Sequence, residues 1–185
     1  MSVSYLTADE LEAGLENILQ APKDCGAVRL IVRRPDGLER EILASGELDT
    51  AKGLIGDNWQ SRGSSRTPDG SAHPEMQLTL MNVRVIELVA GDRERWPLAG
   101  DQLYVDLNLS RENLPPGTLL ELGTAAVQVT EVPHTGCKKF VERFGLEAMK
   151  FVNSRRGKAL CLRGINTKVV RSGTVRVDDV VKKLS

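Results

Sequence analysis

A chain of 185 residues is long enough for one sizeable core, since a folded chain of about 150 residues buries about 68–70% of the surface it exposes unfolded, and one domain is the default expectation. Hydrophobic residues at 41% and charged residues at 27% exclude a disordered chain. Twenty-five Lys and Arg balance twenty-five Asp and Glu, so no global field recommends a nucleic acid or a membrane surface as partner. Any anion site has to be local.

The first twenty residues hold neither a basic leader followed by an apolar run nor a span of eighteen apolar residues, which predicts a cytoplasmic protein without a membrane anchor. Residues 7–20 place Leu11, Leu15, Ile18 and Leu19 at helical spacing behind a Thr7 cap with acidic residues in the first turn. Beyond Pro22, "AVRLIVRRPDGLEREIL" alternates apolar and charged positions on both sides of a "PDG" turn and predicts a half-buried hairpin. Residues 52–75 are rich in Gly, Ser and Pro and read as one long loop, and loops beyond about 12–15 residues in compact domains tend to be functional or mobile. "MQLTLM" reads as a strand, and "NVRVIELVAG" as a helix of about three turns between an Asn cap and a terminal Gly.

Strands return from "DQLYVDLNLS" through "TLLELGTAAVQVTEV", interrupted by the turn at "RENLPPG". "KKFVERFGLEAMKFVNSRRG" puts Phe140, Phe144, Ala148 and Phe151 on one face and reads as a second main helix with a bend at Gly145. "KALCLRGINTKVVRSGTVRVDDVVKK" reads as further short strands with a Ser-Gly turn. Many short strands with few helices favour an α+β fold that is mainly β, an antiparallel barrel or sandwich.

Three widely spaced cysteines, Cys25, Cys137 and Cys161, make a disulfide framework or thiolate-rich zinc site an unlikely design. With only His73 and His134, a three-histidine metal site is excluded by counting. Cys137 stands apart, in "PHTGCKKFVERFG". A helix starting near Lys138 sets it at an N-terminal end with Lys138, Lys139, Arg143 and His134 close in sequence, surroundings that favour thiolate over thiol. Such a thiolate can be a nucleophile, a persulfide carrier or a soft metal ligand; the competing reading is a packed cysteine beside solvated lysines. Cys25 and Cys161 read as packed, the latter in a strand between Leu160 and Leu162.

His134 reads as a proton donor, a phosphate contact or a plain surface turn. "NSRRGK", with Arg155, Arg156 and Lys158, reads as a phosphate-holding run or a solvated loop. Arg163, in an apolar strand, requires an anionic ligand or a carboxylate partner. Asp57 follows two glycines in "GLIGD" and reads as a turn residue.

"GLIGD", "LTLM", "LELGTAAVQVTEVPHTGCKKFVERFG" and "LRGINTKVVRSGTVRVDD", in this order, resemble the MOSC domain, the C-terminal type of molybdenum cofactor sulfurase. The likeness covers about residues 26–182, which implies a single stand-alone MOSC domain behind a helical extension over residues 1–24. It implies a mostly antiparallel MOSC-type β-barrel with a groove around the motif cysteine. It further implies that Cys137 is the catalytic residue and ligates the molybdenum of a pterin cofactor. Such proteins reduce N-hydroxylated small molecules with electrons from a separate donor protein. The alternatives carried with the family are a sulfur carrier, with a Cys137 persulfide loaded by a cysteine desulfurase, and a non-catalytic binding module; pyridoxal phosphate binding is a further association. By charge, Lys138, Arg143, Arg155, Arg156 and Arg163 are the expected contacts to the cofactor's phosphate, with His134 beside them and Asp57 orienting its loop or lining the groove. Members of the family often carry Pro directly before the cysteine, where this chain has Gly136.

Overall fold

The computed structural model describes residues 5–184; the first four residues of the expected helical extension, and Ser185, lie outside the described residues. The chain opens with helix α1, Ala8–Leu19, whose Thr7 hydroxyl accepts from Glu10 N while the Glu10 carboxylate accepts from Thr7 N at 2.8 Å. This reciprocal capping box satisfies amides that have no partner within the helix. Leu11, Leu15 and Ile18 are buried, whereas Leu19, expected on the same face, is exposed.

Strands β1 (Cys25–Arg33) and β2 (Glu41–Leu43) form the expected hairpin, with Ile31 opposite Leu43 and Arg33 opposite Glu41. After β3 (Ser45–Asp49), the segment read as one loop contains a short strand β4 (Gly53–Leu54), a single helical turn α2 (Trp59–Arg62) and a 3-10 turn at Pro74–Met76. Strand β5 (Leu78–Asn82) runs into helix α3 (Val83–Ala90), capped by the Asn82 side chain. A 3-10 segment, Arg93–Ala99, leads to β6 (Leu103–Asp106), followed by β7 (Leu119–Leu122) and β8 (Ala125–Val129). Three short helices, α4 (Lys138–Phe144), α5 (Leu146–Asn153) and α6 (Arg155–Ala159), precede β9 (Ile165–Arg171), β10 (Gly173–Arg176) and β11 (Val180–Leu184).

Strands in the order β11-β7-β8-β9-β5-β6-β1 form a sheet that closes on itself, because β1 pairs back to β11. Every pairing in this barrel is antiparallel except β5 with β6. A parallel pair cannot be joined by a tight turn, and α3 with the following 3-10 segment is the crossover. β2 prolongs the sheet beside the second half of β1, and β10, β3 and β4 make a smaller sheet.

Alternation along the strands separates two cores. Leu80, Leu103, Val105, Val127 and Val181 fill the barrel. Met81 and Tyr104, each one residue out of phase, face a helical layer built on Leu11, Ile86, Phe140 and Phe144. Successive strand side chains point to opposite faces, so these strands serve both cores.

Three sequence expectations need correction. Cys25, read as packed, is exposed at the start of β1. The single bent helix after Cys137 is three helices: Gly145 has φ +89° with the Tyr5 ring packed where a Cβ would sit, and the Ser154 hydroxyl starts α6 by accepting from Gly157 N. Residues 160–163 form a turn and not a strand, with Cys161 at φ +50°. The apolar-polar alternation of "ALCLRGI" imitates a strand, but the chain must reverse there to enter β9 beside β5.

Candidate functional site

The loop joining β1 to β2, the α2 region, the turn at Ala99–Gly100, residues 133–137 and the start of α4 enclose a cavity of about 630 Å³. Cys137 lies on its wall as the residue before α4, in extended conformation at φ −120° and ψ −178°. Its side chain is exposed and makes no capping hydrogen bond. The preceding residue is gripped from α5: Gly136 N donates to Asn153 Oδ1 at 2.8 Å, and Asn153 Nδ2 donates to Gly136 O at 2.9 Å. A proline at position 136 would have no N–H for the first of these bonds.

The walls are cationic. Arg34, Arg40, Arg62, Arg66, Lys139, Arg143 and Arg163 all line the cavity, against Asp36 as the carboxylate among the lining residues. Two of these cations are neutralised from behind. Arg34, 5% exposed, donates from Nε and one terminal nitrogen to the two Asp57 carboxylate oxygens at 2.9 and 2.7 Å, and Asp57 also accepts from Arg34 N and Trp59 N. Arg163, 7% exposed, donates to Asp101 Oδ2 at 2.6 Å and stacks its guanidinium 5.1 Å from the Phe140 ring centre. The other five make no ion pair among the described residues.

That crowding has electrostatic consequences. Burial, with Arg143 and Arg34 nearby, holds the Arg40 guanidinium below its ordinary pKa, and burial with Arg34 does the same to Arg62. His134 is held well below the ordinary imidazole value, first by burial and then by the charges of Arg163, Arg34, Arg66 and Arg62, so its ring is neutral at pH 7. Its Nε2 lies 3.8 Å from Asp101 Oδ1, an oxygen that is buried without a hydrogen-bond partner. Burial pushes the Asp101 carboxyl up, and Arg163 pulls it the other way. Arg40 Nε, Asn58 Oδ1, Arg163 Nε and Asn166 Oδ1, all on residues lining the cavity, are likewise buried without partners. Buried polar atoms are normally paired, and these four have no partner among the described residues.

The structure brings together Cys137, His134, Arg143 and Arg163 at this cavity. Asp57 stands one layer behind, acting on Arg34. Lys138 is exposed on α4 and does not line the cavity. Neither do Arg155 and Arg156, which are exposed on α6; Arg156 approaches Glu12 of α1 at 3.9 Å on the surface. Arg34, Arg40, Arg62, Arg66 and Asp101 escape a reading of the sequence. The signal available for Arg62 and Arg66 is their position in the long loop; for Arg34, its place directly before Pro35 at the end of β1.

The protein is thus a closed mixed barrel carrying an arginine-lined cavity with an exposed cysteine on its wall. The chain matches the MOSC domain family over residues 71–182 and belongs to it, a family associated with the molybdenum cofactor. Three similar solved structures share the fold. The YuaD protein from Bacillus subtilis is 17% identical with a TM-score of 0.60, covering 86% of this chain and 95% of that one. A hypothetical protein is 19% identical with a TM-score of 0.58, over 88% and 69%, and YiiM from Escherichia coli is 20% identical with a TM-score of 0.54, over 86% and 70%. No curated protein matches the chain.

Proposed function

We propose that the cavity holds the molybdenum cofactor with Cys137 as metal ligand, and that the protein, a single MOSC domain working in the cytoplasm, reduces N-hydroxylated small molecules with electrons from a separate donor protein. One observation carries this reading: an exposed thiol shares its cavity with five cations that have no carboxylate partner among the described residues. The residues fit the group. A cysteine sulfur is a soft donor suited to a thiophilic metal, and guanidinium forks match phosphate oxygens. Arg40, Arg62, Arg66 and Arg143 would hold the phosphate, and the unpartnered side-chain oxygens of Asn58 and Asn166 would be available to the pterin's N–H groups. The bound centre supplies the redox chemistry at nitrogen. This chain's own part is to position the sulfur through the Asn153 grip on Gly136, to repel cations from the cavity, and to offer neutral His134 as a hydrogen-bonding group at its wall. Among the described residues no helix is long and apolar enough to cross a membrane.

The exposure of Cys137 also supports a second reading, in which it carries a persulfide received from a cysteine desulfurase. Metal analysis of protein made in a cofactor-competent host separates the two. The first reading expects molybdenum in the wild type and in Lys138→Gln, and its loss in Cys137→Ala. Wild type without molybdenum sinks it, and a sulfur adduct at Cys137 after incubation with a desulfurase then selects the second. If neither is found, a non-catalytic binding module remains.

A further inference from the structure

Behind the wall that carries Cys137 lies a second cavity, of about 380 Å³. Residues 133–135, with Arg163 and Asn166, form the partition, since they line both spaces. The two differ in chemistry. The second is lined by Leu114, Val129, Val132, Val152 and Ile165, and its cations are Arg111 and Lys158 together with the already paired Arg163. Arg111 and Lys158 are exposed and make no ion pair among the described residues. The volume lies in the range of small-molecule sites, about 300–1,000 Å³.

One further observation points to an occupant. Cys161, also lining this cavity, is held at φ +50°, a conformation costing a non-glycine residue about 1 kcal/mol or more and commonly retained at ligand-contacting positions. Burial pushes the Cys161 thiol up, so it contributes a neutral, weakly polar surface and not a nucleophile.

We propose that this second cavity binds a compact apolar carboxylic acid, its hydrocarbon among Leu114, Val129, Val152 and Ile165 and its carboxylate toward Arg111 and Lys158. An apolar lining with two unpaired cations suits an organic anion of low charge, whereas the neighbouring arginine-rich cavity suits a polyanion. The acid would lie against the back of the segment leading to Cys137. The proposal is independent of what occupies the first cavity.

Octanoate is the probe, with octan-1-ol as the neutral control, using the full chain in calorimetric titration and in timed iodoacetamide alkylation read peptide by peptide at Cys25, Cys137 and Cys161. Octanoate should bind saturably and slow alkylation of Cys161 while leaving Cys25 and Cys137 unchanged. Arg111→Gln combined with Lys158→Gln should weaken octanoate about tenfold, the loss expected for two exposed charge contacts, and leave octanol as it was. Val132→Trp, which fills the space, should abolish binding in a protein whose near-ultraviolet dichroism shows a packed fold. Absence of octanoate binding, octanol binding as tightly as octanoate, wild-type binding by Val132→Trp, or protection of Cys137 in place of Cys161 would each overturn the proposal.

Discussion

Asp57 and Asp101 play the same part in two places: each is a fully buried carboxylate that neutralises a buried arginine on the cavity wall. Asp57 is saturated, accepting from the Arg34 side chain, two backbone amides and, at 3.3 Å, Gln102 Nε2. Asp101 keeps one oxygen free, facing His134. Removing a partner from a buried pair leaves an uncompensated charge and costs about 3–5 kcal/mol, so Asp57→Ala should lower the unfolding free energy in urea by about that much. A loss below about 1 kcal/mol, the range of a surface pair, would mean that water reaches Arg34. The glycines before Asp57 flag a turn, and only the family resemblance singles the residue out for a role in the loop or groove. Its partner Arg34 was not legible, since residues 34 and 57 meet only after the sheets assemble. Arg155 and Arg156 misled for the complementary reason: a run of charge says nothing of which way its helix faces.

At the level of elements, the hairpin, β5, α3 and the strands from β6 to β8 were readable because period-two alternation and caps are local signals. The turn at residues 160–163 was not, because its apolar residues serve two cores at once: Leu162 packs with the helical layer while Cys161 lies against the barrel side. Gly164 shows what drives the turn. It has φ +111°, and a Cβ there would press on the Leu80 carbonyl oxygen of β5. Gly164→Ala therefore combines an unfavourable backbone region with a clash against another strand's backbone, and should cost about 2 kcal/mol or more. Urea denaturation checks it, and a cost within about 0.5 kcal/mol, typical of a neutral surface change, would show that β9 can shift away from β5. The break at Gly145 follows the same logic, with the Tyr5 ring in the place of a side chain.

Across the whole molecule, a net charge of zero conceals a segregation: seven cations line one cavity. Composition could exclude a global field but not foresee this local one. The segregated charge makes stability depend on pH through His134. In the unfolded chain its imidazole titrates near 6.5; in the folded chain burial and the surrounding guanidinium groups hold it well lower. Between those two values the unfolded state binds a proton that the folded state does not. Stability is therefore full above about pH 6.5 and falls as pH drops through it, by at most about 1.4 kcal/mol per unit. His134→Asn removes this proton. Urea melts at pH 7.5 and 5.5 should show a decline in the wild type that exceeds the variant's by about 1.4 kcal/mol, one unit's worth of differential protonation. Equal declines would mean that the folded ring takes up its proton as freely as the unfolded one, and the neutral imidazole among arginines would be lost as a feature of the site.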